Sequence, residues 1–561
     1  MSALIECVPN FSEGRNPEVI RRITDRIASV DGATLLHVDP GKATNRTVVT
    51  IAGAPDAVVE AAYRAIAEAA ELIDMRQHTG EHPRMGATDV CPLIPISGIT
   101  MEETAEFARR LAERVGRELQ IPVYLYEAAQ PDPAKKNLAV IRAGEYEGLA
   151  RKMADPAWKP DYGPAAFKPR SGATVIGARD FLVAYNVNLN TTSTRRANAV
   201  AFDVREAGRP KREGHPLTGK VVTDAAGHPV TEPGTLKAVK AIGWFIEEYG
   251  VAQVSMNLTD LRVTPLHVAF DEVCRAAEAR GLRVTGSELV GLVPLSALLD
   301  AGRHLLRKQQ RSLGVSEPEL VRLAIVSLGL DELAPFKPEE RIIEYRLRDP
   351  GSSRLVNMTV RGFADETASE SAAPGGGSVA ALLGTFAASL GVMVANLSAH
   401  KRGWDERWEE FSRWAEQGQR LKDELLYLVD EVTRAFNQVI ATLAMPRSTD
   451  VEKAARAEAL ERANVGALEV PYRVMHVASA TFDLLEAMAR DGNPASASDA
   501  GVGALCARAA IRGAWLNVLT NAGGIKDRQR VERVLAEGRR VEQDAAAREV
   551  AILEIVERKF A

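Results

Sequence analysis

Residues 74–92 contain the densest set of side chains that could do chemistry in this chain. The segment has two histidines, two arginines and three carboxylates, and glycine and proline interrupt it. Within it, residues 78–82 read His-Thr-Gly-Glu-His, the order of an inverted zinc-protease motif with two imidazoles one helical turn apart. That motif needs a continuous helix, which Gly80 and Pro83 oppose because proline biases the preceding residue away from helical geometry. The sequence therefore predicts a loop without a metal ion.

A histidine in such a loop is a candidate general base, because imidazole titrates near neutral pH. His82 is the candidate here, since it follows Glu81 and lies close to Arg84 in the sequence. The alternative is a hydrogen-bonded loop histidine with a structural role. A zinc hydrolase built on His78 and His82 is a third interpretation, and metal analysis of the purified protein tests it.

Length and composition limit the class of protein. The chain has 561 residues, enough for about three compact units. Its 46% hydrophobic and 26% charged residues are typical of a soluble globular protein. A net charge of −5 opposes binding of nucleic acid by the whole chain. Four scattered cysteines and the lack of a secretory signal indicate a reducing, cytoplasmic environment.

One segment resembles a membrane span in length. Residues 379–397 are apolar and uncharged, and a bilayer helix needs about 20 such residues. However, alanine, glycine and serine dominate the segment, and aromatic anchors are missing. Small side chains allow helices to approach closely, so we expect a buried helix at the centre of a bundle and no membrane span.

The N-terminal part alternates strand and helix patterns. We predict strands at 3–8, 34–38, 47–51 and 123–126, and helices at 16–30, 56–73 and 101–119. The link around Pro40 and Gly41 is too short for a crossover helix, so the strands on either side should form an antiparallel hairpin. An α+β arrangement follows, rather than a doubly wound sheet.

A second α/β unit begins near residue 181. We predict its strands at 181–189, 242–246, 252–258 and 284–292, and its helices at 266–280 and 294–299. Residues 205–234 are rich in glycine, proline and charge, and form a long excursion that is either disordered or a hairpin flap.

The C-terminal part differs in kind, because after a strand-like stretch at 355–360 its pattern is entirely helical. Helices are predicted at 379–397, 403–445, 449–490, 499–521 and 527–558, which together indicate an all-α bundle. The expected organisation is two α/β subdomains at 1–180 and 181–347, a linker at 348–356, and a helical domain at 357–561. Two unlike modules suggest either consecutive enzymatic steps or an enzyme fused to an assembly domain.

Four segments of the N-terminal half together closely resemble the glutamate formimidoyltransferase family. They are the turn 8–14, the stretch 38–47, the histidine loop and the Gly/Pro-rich loop 161–173. Each is weak alone, but their order and spacing match the family over residues 1 to about 345. The resemblance implies two ferredoxin-like α/β subdomains with folate between them. It also implies transfer of the formimino group of N-formimino-L-glutamate to N5 of tetrahydrofolate, in histidine degradation, with tetrahydrofolate as co-substrate and no metal.

The resemblance also assigns roles to residues. On the family pattern His82 is the general base, and the loop that contacts folate includes Gly163, Pro164, Phe167, Lys168, Arg170 and Gly172. A proton leaves N5 as it attacks the amidine carbon, and an imidazole suits that transfer at cellular pH.

Three further residues are candidates for the same site, and two residues of the folate loop have a second candidate role. Asp39 is the candidate for orienting His82, as a carboxylate behind a catalytic histidine does. Asn10 belongs to the turn 8–14, whose polar groups could bind a ligand. Arg84, Lys168 and Arg170 could pair with substrate carboxylates, with structural salt bridges as the alternative.

The C-terminal part resembles formimidoyltetrahydrofolate cyclodeaminase over residues 357–561. Three segments match, at 371–378, 492–499 and 514–521. The implied reaction cyclises 5-formimidoyl-tetrahydrofolate to 5,10-methenyl-tetrahydrofolate and releases ammonia. A run of glycines at a helix start offers free N–H groups to an anion, and the candidate site residues from these loops are Gly375, Gly376, Gly377, Ser378, Ser498 and Asp499.

Position 432 departs from the cyclodeaminase pattern. The family has an aspartate in an Asp-x-x-Ala-Phe sequence on an early bundle helix, and this chain has Val432 there. Valine cannot transfer a proton, and the nearby candidates Asp430 and Glu431 point about 200° and 100° away from it on a helix. Two interpretations remain: a bifunctional enzyme, or a transferase whose helical domain only binds folate or mediates self-association. In either case we expect at least a homodimer, because a helix rich in alanine and glycine buries modest area per residue.

Overall fold

The computed structural model describes residues 3–42, 44–80, 83–214, 219–224, 227–348, 354–371 and 373–560. The chain separates into two compact units. The first comprises Met1–Ala301 and Ile325–Leu347, and the second comprises Gly302–Ala324 and Arg348–Ala561. Residues 302–324 thus belong with the helical part, although they precede the expected linker.

The first unit begins with a seven-stranded mixed sheet. Its strands are β1 (Leu4–Cys7), β2 (Asn10–Phe11), β3 (Ala33–Gly41), β4 (Arg46–Gly53), β5 (Thr88–Ser97), β6 (Val123–Glu127) and β7 (Thr174–Ala178). Its helices are α1 (Pro17–Ala28), α2 (Pro55–Leu72), α3 (Met101–Arg114), α4 (Leu138–Arg142) and α5 (Glu145–Met153). Strands β3 and β4 pair antiparallel, which confirms the predicted hairpin.

The order of these strands is that of a ferredoxin-like fold. Elements β1, α1, β3, β4, α2 and β5 follow a βαββαβ pattern, with β5 beside β1, β1 beside β4 and β4 beside β3. Strands β7 and β6 then extend the sheet in parallel from β5. Local signals explain the helix starts: the Asn16 side chain caps α1 ahead of Pro17, and Thr100 with Glu103 forms a capping box at α3.

A second ferredoxin-like subdomain follows in the same unit. Its βαββαβ elements are β8 (Val183–Leu189), α6 (Thr194–Val204), β13 (Val239–Ile246), β14 (Val251–Leu258), α7 (Leu266–Glu278) and β15 (Val284–Val290). The four strands are antiparallel in the order β13-β14-β8-β15. The expectation of an α+β half with two ferredoxin-like subdomains is therefore confirmed.

The excursion at 205–234 contains two short antiparallel ladders among its described residues. Strand β9 (Arg209–Pro210) pairs with β12 (Thr231–Glu232), and β10 (Arg212–Glu213) pairs with β11 (Lys220–Val221). Of the two interpretations offered for this segment, these ladders favour a hairpin flap. Four helices complete the chain up to residue 346: α8 (Leu295–Lys308), α9 (Glu317–Leu328), α10 (Pro338–Arg341) and α11 (Ile343–Arg346).

The second unit is a helical bundle, as predicted. Its main elements are α12 (Val360–Thr367), α13 (Gly376–Ala399), α14 (Trp408–Leu443), α15 (Asp450–Asp491), α16 (Ala497–Asn521) and α17 (Arg528–Arg558). Helix α13 packs against α14, α15 and α16. Two stretches, Gly376–Ala399 and Pro494–Gly524, are long and apolar enough to span a bilayer, and 61% and 44% of their most apolar windows are buried inside the protein.

Close packing explains the composition of α13. A Cβ atom at Gly391 would lie 2.6 Å from Leu484, and one at Gly377 would lie 2.6 Å from Val432. Side chains larger than hydrogen at these positions would force the helices apart. The position of α13 is that of the core helix expected for residues 379–397.

The strand expected at 355–360 was wrong. Residues 354–357 form a turn, in which the N–H groups of Leu355 and Val356 donate to the Asp430 carboxylate at 2.8 and 3.3 Å. Helix α12 then begins at Val360, capped by the Thr359 hydroxyl. Alternating apolar residues suggested a strand, but a carboxylate on α14 supplies the acceptors that a neighbouring strand would have supplied.

Candidate functional site

One candidate site is a cavity of about 1040 Å³ in the first unit. One wall is a face of the seven-stranded sheet, and the other comes from the second subdomain. Asp39, Val48, Asn10 and Val90 lie in register across β3, β4, β2 and β5, so their side chains form one row of this wall. The volume suits a ligand of the size of a cofactor.

Two of the polar side chains on this wall have unmet hydrogen-bonding capacity. Asn10 is 4% exposed; its amide nitrogen donates to the Val8 carbonyl at 2.7 Å, and its Oδ1 has no partner within the described ranges. Glu6 is 6% exposed and lines the same cavity. Burial raises the pKa of Glu6 to about 7, with nearby Arg179 opposing the rise and Glu344 adding to it. A ligand in the cavity could satisfy both groups.

Basic side chains surround this polar wall. They are Arg46, Arg142 and Arg179 from the first subdomain, and Lys240, Arg262 and Arg341 from the second subdomain and the segment after it. Arg142 pairs with the buried Asp89, and Arg262 pairs with Asp180 at 2.7 Å. Burial lowers the pKa of Arg46 to about 10, yet at neutral pH it remains protonated. The cavity can therefore hold an anionic ligand.

Lys240 makes neither an ion pair nor a side-chain hydrogen bond within the part of the chain that the structure describes. It lies exposed on β13 and lines the cavity. An unpaired ammonium group in a cavity is available to a ligand carboxylate.

The three N-terminal segments singled out by the sequence meet at Asn45. Its Oδ1 accepts from the Gly14 N–H at 3.0 Å, and its Nδ2 donates to the Thr79 carbonyl at 2.9 Å. The Asn45 carbonyl is 2.9 Å from His78 Nε2. One side chain and its carbonyl thus connect the turn 8–14, the stretch 38–47 and the histidine loop. His82 itself lies outside the described residues, so its role as a base stays a prediction, as does the orienting role of Asp39, which lines the cavity.

The Arg84 guanidinium interacts with side chains of the protein itself. Its guanidinium makes a two-pronged pair with Glu147 at 2.6 and 2.8 Å, contacts Glu145 at 3.3 Å, and donates to His78 Nδ1 at 3.3 Å. Glu147 raises the pKa of Arg84 further. The structure therefore supports the alternative of a structural salt bridge, since binding a substrate carboxylate would require Arg84 to leave Glu147.

The loop 163–172 lies against the histidine loop and does not line the cavity. Arg170 donates to the Glu71 carbonyl, its own carbonyl accepts from Met75 N–H at 2.9 Å, and Gly172 bridges to Gly86. Gly163 and Gly172 have φ values of 80° and 65°, which favour glycine. Phe167 contacts the Tyr146 ring, Pro164 is half-buried, and Lys168 accepts the Gly172 N–H through its carbonyl.

A smaller cavity of about 410 Å³ lies in the helical bundle. Its walls include the first turn of α13 at Gly375, Gly376 and Gly377, and α14 at Val432 and Thr433. Three asparagines, Asn464, Asn517 and Asn521, add carboxamides whose nitrogens donate to main-chain carbonyls. Among the described residues that line this cavity, none has an ionisable side chain.

The other candidates in the bundle do not line this cavity. Ser378 is buried and donates to the Val429 carbonyl at 2.7 Å. Ser498 and Asp499 lie at the N-terminal end of α16, about 27 Å along the helix from Asn517. Asp430 binds the turn at 355–356, and Glu431 pairs with Arg434 at 2.5 Å. Within the described ranges, no cluster of three His, Cys, Asp or Glu side chains could hold a metal ion.

Sequence reasoning missed the residues of the cavity walls that lie inside strands. Glu6 stands between Ile5 and Cys7, which are buried against the helices. The alternation of a strand therefore placed Glu6 on the opposite face, and an acidic residue inside a short apolar strand was the available signal. His37, Lys240 and Arg341 had no motif around them.

Comparison with known proteins shows which families the chain matches. Three family models match in succession: "Formiminotransferase domain, N-terminal subdomain" at residues 4–179, "Formiminotransferase domain" at 184–348 and "Formiminotransferase-cyclodeaminase" at 359–540. The mouse protein named formimidoyltransferase-cyclodeaminase is 43% identical over 94% of both chains. The glutamate formimidoyltransferase of Streptococcus pyogenes serotype M1 is 39% identical over 55% of this chain and 94% of its own length. The methenyltetrahydrofolate cyclohydrolase of Methylorubrum extorquens is 36% identical over 36% of this chain and 98% of its own length.

The contacts of Asn45 predict how the histidine loop is held. In Asn45→Ala, the Gly14 N–H and the Thr79 carbonyl lose their partners, so amide hydrogen exchange at residues 78–87 should accelerate by about tenfold or more. Asn45→Asp is the matched control, because it keeps the acceptor for Gly14 and should show a smaller change. Exchange measured by mass spectrometry checks this, with the β4 amides as an internal reference. Unchanged exchange in Asn45→Ala would show that the loop is held by other contacts.

Proposed function

Because the chain belongs to the formimidoyltransferase-cyclodeaminase family, we propose that it transfers the formimino group of N-formimino-L-glutamate to N5 of tetrahydrofolate. The observation that best supports this activity is the large cavity with its polar sheet wall and ring of cations. Formiminoglutamate has two carboxylates and a cationic amidine, and folate ends in a glutamate. A cavity with unmet acceptors on one wall and cations around it suits both substrates.

The reaction requires removal of a proton from N5 as it attacks the amidine carbon. His82 is the base of this proposal, and its loop is attached beside the cavity wall through Asn45. Asp39 would stabilise the imidazolium that forms, as a carboxylate does behind a catalytic histidine. When the tetrahedral centre collapses, the protonated base can return its proton to the departing glutamate nitrogen.

The second proposed activity belongs to the helical unit. The cyclodeaminase-type reaction joins N10 to the formimino carbon and expels ammonia. The carboxamide oxygens of Asn464, Asn517 and Asn521 offer acceptors for the N–H groups of a cationic formimino group, which supports binding in the smaller cavity. The lack of an ionisable lining residue among those described favours, as a second candidate, a unit that binds the folate without proton transfer.

We also propose self-association and a cytoplasmic location. Helices α13 and α16 expose large apolar side chains in rows, among them Phe386, Met393 and Leu397 on one and Leu505, Leu516 and Leu519 on the other. Rows of this kind support burial against a second copy.

All four cysteines are free, which agrees with a reducing compartment.

Replacing His82 tests the transferase. His82→Ala should lower the rate of glutamate release from formiminoglutamate and tetrahydrofolate by about 10²–10⁴-fold, because the proton on N5 loses its acceptor. His78→Ala is the control and should do far less, since His78 makes structural contacts with Asn45 and Arg84. Product identification by chromatography, with glutamate scored separately from ammonia, makes the measurement. Near-normal turnover by His82→Ala would exclude it as the base.

Replacing Val432 tests the second activity. Val432→Asp places a proton-transfer group in the smaller cavity, so ammonia release from 5-formimidoyl-tetrahydrofolate should rise by about 10²-fold or more. Val432→Asn has the same shape without an acid, and ammonia release should stay at the wild-type rate. Equal rates in the wild type and Val432→Asp would show that the proton moves by a route that does not need position 432.

Self-association is tested by light scattering of the full chain. At micromolar concentration the mass should be at least twice 60.6 kDa. A charge placed in the apolar row, as in Leu516→Glu, should lower that mass, and the same change at the exposed Val451, outside the rows, should not. A monomeric wild type would rule out this part of the proposal.

A further inference from the structure

Glu6 is a buried carboxyl group in the large cavity, and the proposed transfer reaction gives it no role. Its side chain is 94% buried, it lines the cavity, and it makes no hydrogen bond or ion pair within the described ranges. Strand pairing places it between Ala52 and Ile94, on the face of the sheet opposite to α1, α2 and α3. A buried carboxyl group without partners is costly, so a ligand that donates hydrogen bonds is the natural partner.

The charges around Glu6 favour a neutral ligand with two N–H donors over a simple cation. Arg179 faces the carboxyl group and supplies positive charge, while Glu344 adds negative charge. Burial dominates and brings the pKa of Glu6 to about 7. Other titratable groups of this region are His37, Tyr126 and Glu127, which line the same cavity, and the buried thiols of Cys7 and Cys91. A flat ligand edge with two parallel N–H donors would satisfy both carboxylate oxygens.

Resting on the proposed function, we infer that Glu6 binds the pterin ring of tetrahydrofolate through its ring N3–H and 2-amino group. These two groups lie side by side on one edge of the pterin and point the same way. The carboxylate accepts one hydrogen bond from each. The opposite edge of the bicyclic ring, which bears N5, then faces Asn10 and the histidine loop.

The other substrate also has a paired N–H edge, on its formimino group. That amidine is cationic, whereas Arg179 already supplies positive charge to Glu6. The neutral pair of N–H donors on the pterin is therefore the better fit.

The test is calorimetric binding of tetrahydrofolate to the full chain. Glu6→Gln keeps the size of the side chain but replaces one acceptor by a donor that opposes the pterin edge, so the affinity should fall by at least about tenfold. Glu18→Gln, on the exposed face of α1, is the matched control and should bind as the wild type does. p-Aminobenzoylglutamate, which lacks the pterin, should bind equally to all three proteins.

A pH series provides a second readout. Only the ionised carboxylate accepts both hydrogen bonds, so protonation below the pKa of about 7 weakens binding. Tetrahydrofolate affinity of the wild type should fall by about tenfold between about pH 8 and about pH 6. Glu6→Gln should lose this dependence, and His82→Ala should keep it, which separates the carboxyl group from the imidazole.

Three outcomes would overturn the inference. They are wild-type affinity for tetrahydrofolate in Glu6→Gln, an equal pH dependence in that variant, or a loss of affinity confined to formiminoglutamate, which would assign Glu6 to the amidine. A wild type that binds tetrahydrofolate but forms no formimino product would instead refute the proposed transfer. In that case the binding data still decide the role of Glu6.

Discussion

The N-terminal site depends on the alternation of side chains between the two faces of the seven-stranded sheet. Alternation along β1 and β4 sends Ile5, Cys7, Val49 and Ile51 into the core beneath α1, α2 and α3. The same alternation sends Glu6 to the other face, where α4, α5 and α11 pack on parts of the sheet and the cavity lies beside Glu6. Burial of the first set fixes the register, because a slip of one residue would exchange the two faces. The apolar core thereby positions the polar wall of the cavity.

Asn45 connects the loops beside the sheet to one another. Its φ of 48° lies in the left-handed region, which asparagine tolerates better than most residues. In that conformation its side chain reaches Gly14 and Thr79 while its carbonyl meets His78. The Gly14 position has no room for a side chain, since a Cβ there would lie 2.3 Å from the Gly41 carbonyl. The motifs of the sequence are thus positions where backbone segments approach closely.

Sequence patterns predicted the helices and strands better than they predicted the residues of the candidate site. The helices of the bundle and the β3–β4 hairpin followed from apolar periodicity and from the Pro-Gly link, which are local signals. The strand expected at 355–360 failed because its partner is a carboxylate 75 residues away, and no local pattern reveals that contact. Glu6 and Lys240 were missed for the same reason: each matters only through the cavity, which pairing of distant strands creates. Arg84 was chosen by residue type, and its bond to Glu147 depends on α5 folding back against the loop.

In the smaller cavity, too, the side chains that could take part in chemistry are positioned by close packing of the backbone. Gly377 of α13 leaves room for the Val432 methyl groups, and Asn517 lies on the other side of the same turn. Aspartate branches one atom further from the backbone than valine, so exchange at position 432 would add a proton-transfer group and replace the methyl contact with Gly377. The three carboxamides that line the cavity do not depend on that exchange, because their nitrogens are fixed by main-chain carbonyls. In the proposed second activity, binding and proton transfer would therefore be separable: the asparagines and glycines would determine the first, and position 432 would determine whether the cavity contains an acid for the second.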